Sequence, residues 1–199
     1  FMQSVELGSG LDNIQKIMDI EEMGSGSAVL PKDGCYSIDY ENVSFHYVEG
    51  EKEALTSINL HMEPGSINAF VGPSGAGKTT AVQLLGRYCD TTAGTIKIGG
   101  VPITDLKTEN LMDLTAFVFQ DVFLLEDTLL ENIRMGTDAT EEQVRNAAQA
   151  AQIDDFIMSL PHGYATRIGD EGVKLSGGQQ QRISIARAIL KDAPVVVFD

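Results

Sequence analysis

The chain contains the stretch Gly72-Pro73-Ser74-Gly75-Ala76-Gly77-Lys78-Thr79, which matches the pattern G-x-x-x-x-G-K-[ST] of a phosphate-binding loop. Glycines let the backbone curl so that successive N–H groups point into one concavity, which suits a phosphate. An apolar run at residues 67–71 leads in, and a helix-compatible run at residues 79–85 leads out. This order predicts a strand, a loop and a helix. A plain turn is the alternative, but a chance match is about a 1% event at ordinary residue frequencies.

Each residue of this phosphate loop is predicted to help bind a nucleotide. Lys78 would reach the β- and γ-phosphates, and the Thr79 hydroxyl would ligate Mg²⁺. The positive end of the helix behind the loop adds to the attraction for phosphate. The nucleotide-binding residues predicted here are Gly72, Pro73, Ser74, Gly75, Ala76, Gly77, Lys78, Thr79 and Thr80.

Length and composition restrict the class of protein. With 199 residues, 43% of them hydrophobic, the chain can build one sizeable α/β core. The formal net charge of −15 argues against nucleic acid or an anionic membrane surface as the main partner. Cys35 and Cys89 form no C-x-x-C pair, so we expect two reduced thiols in a cytosolic setting. No apolar stretch is long enough to predict a membrane span.

Residues 1–35 are predicted to be a linker and an extension from an upstream domain. Apolar residues between positions 7 and 18 have helical spacing, and the Gly-Ser repeat at residues 24–27 predicts a flexible joint. Because the sequence begins without Met and stops directly after a strand-like run, we expect a piece of a longer protein.

Residues 36–62 predict antiparallel strands. Apolar and polar residues alternate over residues 36–40 and, in a shifted phase, over residues 43–47, as a bulge at Glu41-Asn42 would produce. A further alternating run covers residues 58–62.

A later part of the chain predicts helices. Residues 121–160 have helical character, with Thr140 and Gln143 as a capping box. Residues 179–190 form a second amphipathic helix.

Two polar side chains follow apolar runs at residues 116–119 and 195–198 that predict buried strands. Because the carboxyl ends of parallel strands face the ligand crevice, Asp199 can hold Mg²⁺ there. The Gln120 amide oxygen can ligate Mg²⁺ or order an attacking water, although an ordinary capping residue is the alternative. The predicted catalytic residues are Lys78, Gln120 and Asp199, and the predicted metal ligands are Thr79, Gln120 and Asp199.

The signature stretch, Leu175-Ser176-Gly177-Gly178-Gln179, predicts a second anion site. Ser176 and two glycines open a helix, so that bare N–H groups and a hydroxyl face outward. A chance occurrence of this pentapeptide is on the order of 1 in 10³. Tyr47 offers an aromatic face for an adenine ring, with a core aromatic residue as the alternative. The nucleotide-binding residues predicted outside the phosphate loop are Tyr47, Gln120, Ser176, Gly177, Gly178 and Gln179.

Together these motifs resemble the nucleotide-binding domain of ABC transporters, from about residue 37 to residue 199. The phosphate loop is similar to the Walker A motif, Gln120 to the Q-loop, and the signature stretch to the ABC signature. Residues 195–199 resemble the start of Walker B, and Tyr47 matches the aromatic residue of the A-loop.

The resemblance implies an α/β fold, a P-loop NTPase core with an N-terminal antiparallel β subdomain and an inserted α-helical subdomain at about residues 121–175. Gln120 and Ser176 are 176 − 120 = 56 residues apart, the size of the family's helical subdomain. Residues 36–199 would form the domain, incomplete at its C-terminus. Residues 1–23 would resemble the end of the last membrane helix and its linker.

Two stretches resemble the exporter-type branch of the family. Residues 127–133 are similar to the segment after the Q-loop, and residues 163–172 to the X-loop. Arg167 stands where that branch usually has an acidic residue, which leaves the contact of the X-loop with a membrane domain open.

The resemblance also implies ligands, partners and a location. Two such domains pair head to tail in this family, with ATP and Mg²⁺ between the phosphate loop of one and the signature stretch of the other. The implied partners are a second nucleotide-binding domain, in a homodimer or a heterodimer, and the transmembrane domain of the same transporter, with no nucleic acid. ATP hydrolysis would drive substrate translocation at the cell membrane, with this domain on the cytoplasmic side.

The family's general-base Glu directly follows the Walker B Asp, and its switch His lies further on. None of His46, His61 and His162 matches that switch. Because the sequence given stops at Asp199, we expect residues 1–199 to bind ATP weakly and not to turn it over normally.

Three alternatives remain open at this point. A soluble ABC ATPase would share the motifs, although the X-loop-like stretch favours a transporter. A phosphate-loop kinase or GTPase would lack the signature stretch. A binding-only domain would use ATP for assembly without turnover.

Overall fold

The computed structural model describes residues 23–48, 50, 52–169 and 172–199. The helix predicted near the N-terminus and residues 170–171 of the X-loop-like stretch lie outside these residues. The elements, in chain order, are β1 (Ile38–Phe45), β2 (Leu55–Met62), α1 (Lys78–Leu85), β3 (Ala93–Ile98), β4 (Val101–Pro102), α2 (Thr108–Leu114), β5 (Thr115–Val118), α3 (Leu129–Arg134), α4 (Glu141–Ala150), α5 (Asp154–Ser159), a 3₁₀ turn (Gly163–Ala165), α6 (Gly177–Lys191) and β6 (Val195–Phe198).

The first sheet is antiparallel, with strand order β2-β1-β3-β4, as the alternating sequence predicts. The pairing of β1 with β2 shifts register between Tyr40 and Val43, and Asn42 has a left-handed φ of 51°. The bulge predicted at Glu41-Asn42 is therefore confirmed. Gly94 of β3 has a φ of 80°, and a Cβ atom there would lie 2.3 Å from the carbonyl oxygen of Asn42. Glycine is required at this close approach.

The second sheet is the parallel pair of β5 and β6, in which Val118 lies opposite Phe198. Small side chains let α6 pack against β5, since Ala188 contacts Ala116 and Val118. The two apolar runs interpreted as strands are thus strands in parallel register. Their carboxyl ends lie side by side, which is what a shared ligand crevice requires.

The strand predicted at residues 67–71 is not formed. This segment joins no sheet of the described structure, and Ile67 and Val71 are 101% and 93% exposed. A strand exists through hydrogen bonds to a neighbouring strand, and no described strand lies in register with this segment. The segment that leads into the phosphate loop is therefore not paired with a strand of the described structure.

The helical block predicted at residues 121–160 is three short helices, α3, α4 and α5, and residues 121–128 are not helical. Thr128 caps α3 by accepting a hydrogen bond from the amide of Glu131. Met135 and Gly136 end α3 in left-handed conformations, with φ values of 46° and 77°. The capping box of Thr140 and Gln143 is confirmed at the start of α4.

The prediction of a flexible joint at residues 24–27 is wrong. The amides of Gly26 and Ala28 donate to the carbonyls of Leu106 and Asp105, at 3.1 and 2.8 Å. The Ser25 hydroxyl accepts from the first amide of α2, that of Thr108. Backbone pairing, which residue composition does not report, holds this segment against the body of the domain.

The hydrophobic core has separate parts under the antiparallel sheet and among the helices. Tyr40, Val43 and Leu84 belong to the first part, in which β1 packs on α1. Ile133 and Ile183 belong to the second, in which α3 packs on α6. Both cysteines are free thiols, as expected. Among the described helices, none has the length and apolar character needed to cross a membrane.

Candidate functional site

The hydroxyl of Thr79 donates a hydrogen bond of 2.8 Å to Oδ1 of Asp199. Thr79 lies in the first turn of α1, and Asp199 directly follows β6. The amide of Asp199 donates to the carbonyl of Val118 at 3.0 Å, which continues the parallel pairing by one residue. Two of the three predicted metal ligands are thus neighbours, and both are exposed to solvent.

Lys78 folds back over the phosphate loop. Its ammonium donates to the carbonyls of Gly72 and Pro73, at 3.0 and 2.9 Å. Both acceptors are loop backbone atoms on an exposed surface, so an anion held in the loop would lie within reach of the same charge.

The phosphate loop depends on glycine where it meets α1. Gly77 precedes the first residue of that helix with a φ of 84°, and a Cβ atom there would lie 2.6 Å from the carbonyl oxygen of Ala54. Only glycine meets both constraints. The loop residues 72–76 are exposed, and the first amides of α1 have no carbonyl partner within the helix. This arrangement suits an anion at the helix N-terminus.

Tyr47 lies beside the end of the phosphate loop. Its hydroxyl is 2.9 Å from Oγ1 of Thr80, and its ring meets Phe45 edge-to-face with centroids 4.9 Å apart. The residue as a whole is 61% exposed. Tyr47 is therefore not a core aromatic residue, and an exposed ring at this place can stack on a nucleotide base.

Buried Tyr40 fixes the helix that carries these loop residues. Its hydroxyl donates to the carbonyl of Ala81 in α1 at 2.8 Å, and burial raises the pKa of this phenol. The antiparallel sheet thereby holds the first turn of α1 in place.

Gln120 follows β5 by two residues, at the same sheet edge as Asp199. Its side chain is exposed and forms no hydrogen bond with another described residue. The structure therefore places Gln120 on the predicted edge without joining it to Thr79 or Asp199.

The oxygen chemistry of this edge fits Mg²⁺. A hydroxyl and a carboxylate are hard ligands of the kind that this cation prefers. Among the residues that the structure describes, no three His, Cys, Asp or Glu side chains form a cluster. Mg²⁺ commonly completes its coordination with phosphate oxygens and water, so two protein ligands are compatible with this cation.

Ser176 begins the helix of the signature stretch with a capping box, for which the spacing of Ser176 and Gln179 was the available signal. Its hydroxyl accepts from the amide of Gln179 at 3.3 Å, and Oε1 of Gln179 accepts from the amide of Ser176 at 2.8 Å. This capping box occupies both side chains locally. Ser176, Gly177 and Gly178 are exposed, and open space surrounds both glycines. Within the described chain no hydrogen bond joins this stretch to the phosphate loop.

Sequence reasoning missed Arg187 and Asn132. Asn132 is fully buried in α3, and Arg187 reaches from α6 to its carbonyl and side-chain oxygens. Burial lowers the pKa of the Arg187 guanidinium. The sequence signal that could have found Arg187 is a positively charged residue within the largely apolar run at residues 183–190. A charged residue in such a helix is ordinarily interpreted as facing solvent.

A search of protein families matches residues 55–199 to the family described as ABC transporter. The chain is 48% identical over 164 residues to an ATP-dependent lipid A-core flippase of Dechloromonas aromatica (strain RCB), covering 81% of this chain and 28% of that protein. It is 45% identical over 163 residues to a protein of Bacillus subtilis (strain 168) that is named as a multidrug export ATP-binding/permease protein. That match also covers 81% of this chain and 28% of the other protein.

A solved structure, that of a bacterial Atm1-family ABC exporter with ATP bound, superposes with a TM-score of 0.86 at 36% identity. The match covers 95% of this chain and 34% of that one. The chain therefore spans about a third or less of the length of the proteins it matches.

Proposed function

The chain belongs to the ABC transporter family, and from that membership we propose that it is the ATP-binding and ATP-hydrolysing domain of an exporter-type membrane transporter. The observation that carries the proposal is the Thr79–Asp199 contact of 2.8 Å, which unites the phosphate-loop hydroxyl with the strand-end carboxylate. Phosphate-loop proteins that bind nucleoside triphosphates use such a hydroxyl and carboxylate to hold Mg²⁺.

Thr79 and Asp199 would hold Mg²⁺ in the complex, and Gln120 would approach it from the neighbouring strand end. When bound, the cation neutralises charge that develops on the β- and γ-phosphate oxygens. Lys78 exchanges its two loop carbonyls for phosphate oxygens, and Tyr47 stacks on the adenine ring. Each of these side chains is exposed or half-buried in the structure and therefore accessible to a ligand.

The site is proposed to be one half of a composite site. Ser176, Gly177 and Gly178 present a helix N-terminus to solvent, yet no hydrogen bond ties them to the phosphate loop of the same chain. A second nucleotide-binding domain, in a homodimer or a heterodimer, would place its own signature stretch against the γ-phosphate. Loss of that phosphate on hydrolysis would remove the contact that joins the two domains.

A membrane partner is proposed from the relatives. The matched proteins are named as exporters, flippases and permeases, and this chain covers only a part of each. We therefore assign to the complete protein a transmembrane domain, a place in the cell membrane with this domain on the cytoplasmic side, and ATP-driven substrate translocation. The same names disfavour a soluble ABC ATPase.

Titration calorimetry of the chain with ATP, GTP and ADP, with and without Mg²⁺, tests the nucleotide assignment. We expect Mg²⁺-dependent ATP binding. A preference for GTP, or no binding, would contradict the assignment.

The composite site is tested in the complete membrane protein with Ser176→Arg. The added side chain should leave ATP binding intact and abolish ATP-dependent pairing of the two domains, measured by cross-linking. If pairing and ATP turnover were unchanged in Ser176→Arg, the composite site would be wrong. If the unmodified protein hydrolysed ATP without pairing of its domains, a soluble or monomeric ATPase would be favoured.

A further inference from the structure

Arg187 makes three hydrogen bonds from the signature helix α6 to the segment that follows Gln120. Its Nε and one Nη donate to the carbonyl and side-chain oxygens of Asn132, and its other Nη donates to the carbonyl of Phe123 at 2.6 Å. Phe123 lies three residues after Gln120, in the non-helical stretch before α3. One guanidinium thus joins the helix of the signature stretch to the loop that carries Gln120.

The two carbonyls that accept from Arg187, those of Asn132 and Phe123, accept from no backbone amide of the described residues. The carbonyl of Asn132 lies in the last turn of α3, where an α-helix leaves its carbonyls without amide partners. A cation at that end also interacts favourably with the helix dipole. The guanidinium therefore takes the place of a backbone amide at both carbonyls, and its removal would leave the half-buried carbonyl of Asn132 unsatisfied.

Asn132 extends this tie to the turn before α3. Its side-chain oxygen accepts from the amide of Leu125 at 2.8 Å, and its Nδ2 donates to the carbonyls of Leu125 and Thr128 at 2.9 and 3.0 Å. Asn132 is fully buried, so these bonds are protected from water. Residues 123–132 are thereby fixed to α6 as one unit.

The neighbours of Arg187 on α6 bind the same helix to two other parts of the fold. Ala186 belongs to the hydrophobic core of the helical region, and Ala188 contacts Ala116 and Val118 of β5. Gln120 lies two residues after the end of β5. The helix of the signature stretch is therefore connected to the Gln120 loop on both sides, through β5 before it and through Arg187 after it.

We propose that Arg187 is a positioning residue that makes the Gln120 loop and the signature helix respond together to nucleotide. This inference rests on the proposed function, since it requires ATP at the phosphate loop and Gln120 near its γ-phosphate. A shift of Gln120 toward the nucleotide would pull on Phe123 and, through the guanidinium, on α6. The side chain acts through these backbone groups and touches no reacting atom.

Hydrogen exchange of the chain, with and without Mg²⁺ and a non-hydrolysable ATP analogue, tests this coupling. In the unaltered chain we expect the analogue to slow exchange both at residues 121–128 and at residues 177–183. In Arg187→Gln the analogue should still slow exchange at residues 121–128. Its slowing of the exchange rate at residues 177–183 should be roughly 2- to 30-fold smaller, the range expected when one residue that couples two sites is removed.

Arg182→Gln is the matched control. Arg182 lies on the same helix and donates to the carbonyl of Gln152 at 2.7 Å, a residue outside the segment that follows Gln120. It should behave as the unaltered chain. Should Arg187→Gln fail to fold in a thermal melt, Arg187→Lys, which keeps the charge and can reach only part of the acceptor set, serves in its place.

The outcomes separate the two proposals. If the analogue changes exchange at both segments in Arg187→Gln, or only at residues 121–128 in the unaltered chain, the coupling role of Arg187 is wrong and the nucleotide site stands. If the analogue changes nothing in the unaltered chain, the proposed function itself fails.

Discussion

Thr79 and Asp199 are 120 residues apart in the sequence, and in the structure the Thr79 hydroxyl donates to the Asp199 carboxylate at 2.8 Å. The contact brings the start of α1 to the carboxyl end of β6. Neither residue is buried, so the contact is open to exchange with a cation.

The Mg²⁺ dependence of ATP binding should depend on both members of this pair. Asp199→Asn and Thr79→Val each remove an oxygen ligand of the kind that Mg²⁺ prefers, and we expect Mg²⁺ to strengthen ATP binding much less in both variants. Calorimetry at a series of Mg²⁺ concentrations measures this. Thr79→Ser, which keeps the hydroxyl, is the control, and an undiminished Mg²⁺ effect in Asp199→Asn would exclude that carboxylate as a ligand.

Removal of the phosphate-loop ammonium should weaken ATP binding severely. Among the described residues, the Lys78 ammonium donates to two loop carbonyls, so Lys78→Ala should leave the fold intact while it removes the charge that faces the phosphates. Charge-assisted hydrogen bonds are worth about 1.5–3 kcal/mol each, so we expect ATP affinity to fall at least roughly tenfold.

Lys97→Ala provides the comparison for Lys78→Ala. Lys97 pairs with Glu41 on the antiparallel sheet at 2.7 Å, away from the phosphate loop. The Lys97→Ala substitution removes one positive charge without changing a residue of the phosphate loop, so ATP affinity should be nearly unchanged. Equal losses in the two variants would mean that net charge, not the position of Lys78, controls binding.

Tyr47 should contribute to base recognition through its ring more than through its hydroxyl. Tyr47→Ala loses the stacking face, worth about 1–3 kcal/mol for a base on an aromatic side chain, and should weaken ATP binding by roughly 5- to 150-fold. Tyr47→Phe keeps the ring but loses the hydrogen bond to Thr80 that orients it, and should weaken ATP binding about two- to tenfold.

Inorganic tripolyphosphate distinguishes the base from the phosphates in the Tyr47 variants. Since it has no base, its affinity should be the same for both variants and the unaltered chain. A parallel loss of tripolyphosphate binding would show that Tyr47 acts on the phosphate loop instead of the base.

A cross-strand pair in the antiparallel sheet should make stability depend on pH. The hydrogen bond of His61 to Asp39 raises the pKa of the imidazole, and the same bond lowers the pKa of the carboxyl. Glu63 also faces His61, and Lys97 faces Asp39, and both act in the same directions.

The sign of each contribution follows from linkage. A raised pKa of His61 stabilises the fold at low pH, and this stabilisation is lost as pH rises through the folded-state pKa. A lowered pKa of Asp39 stabilises above the unfolded value and is lost as pH falls through the folded-state value. The pair should therefore stabilise most between the usual pKa values of Asp and His, about 4 and 6.5.

Thermal melts between pH 4 and pH 9 check this pair. His61→Ala should flatten the fall in melting temperature above the usual pKa of His, about 6.5. His162→Ala, in the turn after α5, should not. A pH profile of His61→Ala that matches the unaltered chain would remove the pair as its cause.

The local features of the fold could be predicted because short-range physics determines them. The bulge at Glu41-Asn42 follows from a shift in side-chain alternation, and the capping box at Thr140 follows from a three-residue spacing. The position of Tyr47 after β1 and the sheet edge of Gln120 and Asp199 followed from strand order.

Other features could not be predicted because they depend on distant partners. Residues 67–71 are apolar enough for a buried strand, yet a strand forms only where a neighbour offers hydrogen bonds. Residues 24–27 have the composition of a flexible linker, yet Asp105 and Leu106 supply carbonyls that fix them. Residues 121–128 continue a helical pattern, but the buried side chain of Asn132 holds their backbone in a turn.

The sequence by itself determined the phosphate loop, the signature stretch and the family, because each depends on residue types at fixed short spacing. Only the tertiary structure decided that the Thr79 hydroxyl contacts the Asp199 carboxylate and that Arg187 joins α6 to Phe123 and Asn132. Such contacts join residues that are far apart along the chain. Their geometry depends on how sheets and helices pack, which no local pattern of residues records.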